Sequence, residues 1–103
     1  MINDLDLLNE NNNNEKIHIR LKQRNTKKTW TIIDNITIIS NEDNDLKKIL
    51  KHLKKTNQCN GSISIEKETN KKILILQGDK RQQVKEHFLN DHKLDENIIV
   101  IHG

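Results

Sequence analysis

One short stretch of the sequence is crowded with positive charge. In "LKQRNTKKTW", residues 21–30, the run Arg24, Asn25, Thr26, Lys27 and Lys28 contains no apolar side chain. A second basic group follows in "DLKKILKHLKK", where Lys47, Lys48, Lys51, Lys54 and Lys55 recur. Guanidinium and ammonium groups this dense offer contacts to phosphate, which supply affinity and orientation without reading a base sequence. Lys54 and Lys55 have a second reason to be basic, because cations suit the C-terminal end of a helix dipole. That reason does not reach Lys47, Lys48 and Lys51, and no acidic residue follows Asp45 in this segment to neutralise them. A binding face is favoured.

Residues that would carry catalysis are dispersed. His18, His52, His87, His92 and His102, with the single Cys59, reproduce no zinc-ligand spacing, so no metal is expected. Nothing in the sequence around Cys59 would activate its thiol, and a small side chain buried at a helix–strand junction is the simpler reading. "GDKR", residues 78–81, lacks both the Gly-rich lead and the Lys-Ser/Thr ending of a phosphate loop. The carboxylates lie mostly near the N-terminus or beside Lys. With no catalytic constellation and no cofactor motif, the chain reads as a binding protein and not an enzyme.

The elements that must position these residues are legible in the pattern. Ile17, Ile19 and Leu21 alternate with His18, Arg20 and Lys22, which indicates a strand with one buried face. "TWTII" is rich in β-branched and aromatic residues and reads as the return strand of a hairpin whose tip is the basic run. The following "NITIISNEDN" is open to two readings, a longer strand or a loop, and its polar residues signal a helix start. From about Asp45 to Lys55, Leu46, Ile49, Leu50 and Leu53 form one helical stripe. "CNG" closes the helix, with Gly61 expected at positive φ. Strands follow around Ile63 and Ile65 and in "KILILQ", separated by the polar turn "KETNKK". Asp79 is expected to cap a second helix, with Gln82 completing a capping box and Val84, Phe88 and Leu89 facing the sheet. "NIIVIHG" supplies a last strand. The order β-β-α-β-β-α-β predicts an α+β fold: a two-layer sandwich, its mixed sheet of about five strands carrying both helices on one face.

Composition bounds the rest. At 103 residues the chain suits one domain, with 32% hydrophobic and 2% aromatic residues placing the core on Ile and Leu. Residues 1–15 hold four of the 15 acidic residues and none of the 18 basic ones, so residues 16–103 carry a net charge of +7. A body that basic attracts nucleic acid. The abundance of Lys, Asn and Ile also fits a compositional bias that leaves a Lys-rich surface. Residues 1–15 are expected to form a disordered acidic, Asn-rich tail, and 16–103 the folded domain. The absence of a roughly 18-residue apolar run, a signal-like start or a second Cys points to the cytoplasm.

The ordered pieces "IHIRLKQRNTKKTWT", "DLKKILKHLKKTNQCNG", "LQGDKR" and "IHG" resemble the eukaryotic translation initiation factor 1, or SUI-domain, family from about Lys16 to Gly103. The resemblance implies a two-layer α/β fold that binds the small ribosomal subunit beside the P site, promotes scanning and makes start-codon selection stringent. It implies contact with ribosomal RNA through Arg24, Asn25, Lys27 and Lys28 in the loop and Lys47, Lys48, Lys51, Lys54 and Lys55 on the helix. The implied partners are that RNA, initiator tRNA and other initiation factors, with a monomer when free. Several positions depart from the family pattern. Thr26 stands where Gly is usual, and the segment before the first helix is longer. The turn expected to face tRNA, usually acidic, carries Lys67, Lys71 and Lys72. The alternatives are a divergent or virus-encoded SUI-domain protein that modifies host initiation, and a small thiol-dependent enzyme using Cys59.

Overall fold

The computed structural model describes residues 16–25 and 28–102, without the side chains of Arg24 and Asn25. The tail expected over residues 1–15 lies outside the described residues. Strands β1 (Ile17–Asn25) and β2 (Lys28–Asp34) form the hairpin, and a 3-10 turn (Ile36–Ile38) leads to helix α1 (Asp43–Asn57). Strands β3 (Gly61–Ile65) and β4 (Lys72–Gln77), helix α2 (Arg81–Asn90), a second 3-10 turn (Glu96–Ile98) and β5 (Ile99–Ile101) complete the order. The expected α+β succession is therefore present.

The strands form one sheet in the order β3-β4-β2-β1-β5. All neighbours are antiparallel except β1 and β5, where Ile17 and Ile19 pair with Ile99 and Ile101. These pairings make β2 parallel to β3 and β4 parallel to β5, so α1 and α2 are both crossover helices. Because β2 and β4 run oppositely and the crossovers depart in opposite directions, two helices on one face require the same hand at both. The strong preference for right-handed crossovers satisfies both together.

The core lies between that face and the helices. Ile17, Ile19, Ile33, Leu74, Leu76 and Ile99 come from the sheet, Leu46, Ile49, Leu50 and Leu53 from α1, and Val84 and Phe88 from α2. Leu89 packs against this cluster while remaining partly buried. The segment after Asp34 is neither a longer strand nor a plain loop. Asn35 takes φ 61°, its side-chain amide donates to the Lys16 carbonyl at 2.8 Å, and Ile36 is fully buried.

Two local expectations are corrected. At "CNG" the left-handed residue is Gln58, φ 50°, and the Cys59 N–H donates to the Lys54 carbonyl at 3.1 Å. Gly61 is required for closeness instead: a Cβ there would lie 2.6 Å from the Ile75 carbonyl oxygen and 2.8 Å from Leu76 Cδ2. The N-cap position of α2 is Lys80, without a side-chain cap, and Asp79, one residue earlier, still accepts from the Arg81 N–H at 3.3 Å, while Gln82 completes no capping box with it. The Arg81 guanidinium engages the Asp79 carboxylate at 2.9 Å, and the Lys80 N–H goes to Thr31 Oγ1 at 2.8 Å. Thr31, fully buried, also donates its hydroxyl to the Gly78 carbonyl at 2.7 Å, which ties the β4–α2 connection to the sheet centre.

Candidate nucleic-acid interface

The hairpin tip and the C-terminal end of α1, with Lys54 and Lys55, meet at one end of the sheet. Trp30 pairs with Gln77, and the Gln77 N–H donates to the Asn60 carbonyl at 2.8 Å, just beyond the C-terminus of α1. A shallow hollow of about 310 Å³ is lined by Lys54, Lys55, Gln58, Cys59, Asn60 and Gln77. The end of α1 thus lies on the same side as the hairpin tip, where Lys28 is exposed. Lys47, Lys48, Lys51 and Lys55 are exposed along α1, while Lys54 is half-buried. Of the expected tip residues, Thr26 and Lys27 lie outside the described residues, as do the side chains of Arg24 and Asn25.

The α1 lysines stay on the surface because the apolar stripe consumes the opposite side of the helix. Asp43 and Asp45 occupy its first turn and Lys54 and Lys55 its last, each complementing the helix dipole. Acid is thereby confined to the first turn of α1, while Lys47, Lys48, Lys51, Lys54 and Lys55 run along the rest of it.

The turn expected to face tRNA lies at the far end of the sheet. Glu66 donates its N–H to the Lys71 carbonyl at 2.9 Å, and Asn70 takes φ 58°. Lys67 and Lys71 are exposed there. Lys72 is different. It begins β4, and its ammonium engages the Asp43 carboxylate and the Asn41 carbonyl at the start of α1. Its ammonium is therefore engaged in an ion pair at the surface, where Asp43 is 65% exposed.

Sequence reasoning missed two features. The helix-free face of the sheet carries Ile32 and Ile73, both buried outside the main core, in a groove of about 540 Å³ also lined by Arg20, Trp30, Ile75 and Glu66. The continuous apolar runs "WTII" and "KILIL" were the signal, because they leave both faces partly apolar. The second is a histidine cluster between the helices, where His52, His87 and His92 meet Asp91. Burial pushes the His87 imidazole below its ordinary range. Asp91 opposes that shift, while His92 and His52 add to it. Cys59 is partly buried against the core and, among the described residues, joins no such group. Among the described residues no helix is long and apolar enough to cross a membrane.

A five-stranded mixed sheet with two crossover helices defines a small α+β domain. The sequence pattern described as "Translation initiation factor SUI1" matches residues 13–95, and the chain belongs to that family. It is 44% identical to the "Protein translation factor SUI1 homolog" of Acanthamoeba polyphaga mimivirus over 86% of this chain and 80% of that one. It is also 44% identical to eukaryotic translation initiation factor eIF-1 of Saccharomyces cerevisiae, over 84% of this chain and 76% of that one. Human eukaryotic translation initiation factor 1 is 34% identical over 84% and 73% of the respective chains. The crystal structure of the C-terminal domain of human eIF2D superposes with a TM-score of 0.71 at 19% identity, over 82% of this chain and 41% of that one, and shows the shared fold. The chain thus has a role in translation initiation.

Proposed function

We propose that this protein is an initiation factor that binds the small ribosomal subunit near the P site and enforces start-codon selection by occupying space. The observation that carries the reading is the shared location of the hairpin tip and the C-terminal half of α1 at one end of the sheet. Arg24, Asn25, Lys27, Lys28, Lys47, Lys48, Lys51, Lys54 and Lys55 supply the contacts to ribosomal RNA. A narrow two-stranded tip can enter folded RNA where a helix would not fit, while the α1 lysines bind phosphates beside it. The opposite turn, with Lys67 and Lys71, then projects toward initiator tRNA. Bound factor and fully seated tRNA compete for one volume, and pairing at the start codon shifts the balance toward the state without the factor.

Activity of this kind needs binding and no chemistry, and its place is the cytoplasm, among the small subunit, initiator tRNA and other initiation factors. A second reading is supported by the mimivirus relative, which matches as well as the yeast factor. On that reading the chain is virus-encoded and modifies host initiation through the same surface. Both readings are tested by sedimenting the chain with purified small subunits and measuring start-codon discrimination in a reconstituted reaction. Co-sedimentation with greater stringency supports the first reading, and co-sedimentation with relaxed stringency the second. Failure to co-sediment contradicts both.

A further inference from the structure

Helices α1 and α2 converge on a histidine cluster, to which α1 contributes His52, between Lys51 and Lys54. His87 Nδ1 lies 2.9 Å from Asp91 Oδ2, and His52 Nε2 approaches the same oxygen at 3.4 Å. The His52 and His87 rings are 4.8 Å apart, and one donor atom from each of the three residues falls within 4.8 Å of the others. We propose that His52, His87 and Asp91 form a site for a divalent transition-metal ion, with zinc as its natural occupant, that fastens α1 to α2.

Geometry and donor chemistry both favour this. Zinc held tetrahedrally at about 2.0–2.1 Å from nitrogen and oxygen needs its ligand atoms about 3.3 Å apart. The two separations to Asp91 Oδ2, 2.9 and 3.4 Å, bracket that edge, and the two histidines, with all three donor atoms inside 4.8 Å, close on the ion by side-chain rotation. Two imidazoles and one carboxylate suit zinc and its transition-metal neighbours, whereas calcium and magnesium require mostly oxygen. One ligand is rigid and two are accessible: the His87 side chain is 9% exposed, against 51% for His52 and 49% for Asp91. An ion can therefore enter from solvent and keep water in its fourth position.

The cluster also supplies an outer partner. His92 Nε2 lies 3.2 Å from His87 Nε2, the nitrogen turned away from Asp91. A proton on His87 Nε2 donated to His92 leaves Nδ1 with a free lone pair toward the site. Without the ion, the 2.9 Å contact to the Asp91 carboxylate places a proton on Nδ1; binding displaces that proton, and donation from His87 Nε2 to His92 then supports the ligating tautomer, as outer hydrogen bonds do around established zinc histidines. His92 is thus a positioning residue. Spacing in the sequence could not show the site, since α1 supplies one ligand and the end of α2 the other two.

The test uses the untagged full-length chain after treatment with EDTA and dialysis. Titration with zinc chloride by calorimetry should show one ion per chain, and the unfolding midpoint should rise with zinc concentration. His52→Gln and Asp91→Asn alter half-exposed side chains, so both should fold, as the metal-free midpoint verifies. Each should weaken zinc binding by at least about tenfold, since even outer-partner changes cost about that much. His92→Gln should weaken binding about tenfold or more while preserving the one-ion stoichiometry. The double variant of His18→Gln and His102→Gln, altering the other close histidine pair, should bind zinc like the parent chain. Absence of binding by the parent overturns the proposal. So does binding that survives in His52→Gln and Asp91→Asn, or that is lost in the double variant.

Discussion

Lys72 on β4 holds Asp43 at the first turn of α1, across the edge between the sheet and the helix layer. This contact divides the basic turn into two exposed residues, Lys67 and Lys71, and one structural residue. Changing Lys67 and Lys71 to Glu should make selection of AUG over near-cognate codons stricter in a reconstituted initiation reaction. Adding Lys72→Glu should lower the unfolding midpoint while leaving codon discrimination at the level of the double variant. If Lys72→Glu alone changes discrimination as much as the other two together, the division is wrong.

Two exposed carboxylates should shape the acid side of the stability profile. Hydrogen bonding to Lys72 lowers the pKa of Asp43, and hydrogen bonding to Arg81 lowers that of Asp79, each below the usual 3.8. With the folded value below the unfolded one, each contribution is complete above about pH 4 and disappears as pH falls through the folded value. Asp43→Asn and Asp79→Asn should therefore lower the midpoint at pH 6, and the difference from the parent should shrink toward pH 2. Thermal melts across that range measure it. A difference that grows on acidification would contradict the assignment.

Gly61 should tolerate no side chain. Its missing Cβ faces a backbone carbonyl at 2.6 Å, which cannot rotate aside, and α1 contributes Leu50 Cδ1 at 3.1 Å. Gly61→Ala should cost about 1–3 kcal/mol by overpacking, read from denaturant unfolding. A neutral effect would mean that β3 can move away from β4 and α1 at little cost.

Thr31 tests how the two layers are joined. Replacement by Val keeps the shape but leaves the Lys80 N–H and the Gly78 carbonyl without their hydroxyl partner. The expected cost is about 1–3 kcal/mol, with faster amide exchange at Lys80. Unchanged exchange there would show that the connection is held by other contacts.

The contrast between Gly61 and Leu46 shows what a sequence can carry. The stripe at Leu46, Ile49, Leu50 and Leu53 was legible because period and burial coincide along one helix. The element order followed from similar local patterns at each strand. Gly61 was legible as a special position but not for its reason, since a positive φ is local and a close approach is tertiary. Asp79 was a sound local cap that ended one residue before the N-cap, still accepting from the Arg81 N–H but also held by the Arg81 guanidinium. The basic residues of the candidate interface could be named from charge, but the meeting of the hairpin tip with Lys54 and Lys55 required the pairing of Trp30 with Gln77. Lys72 looked like its neighbours until Asp43 came within reach, and His52 gave no hint of His87 until the helices packed.

The most direct measurement is the salt dependence of affinity for purified small subunits. If roughly five phosphates are contacted, log affinity should fall against log salt with a slope of about −3.5 to −4.5. Changing Lys27 and Lys28 to Ala should reduce that slope by about 1 to 2 units, as should changing Lys54 and Lys55. Both pairs should contribute, because both belong to the proposed interface at one end of the sheet. An affinity indifferent to salt, or a slope that neither pair alters, would contradict the account.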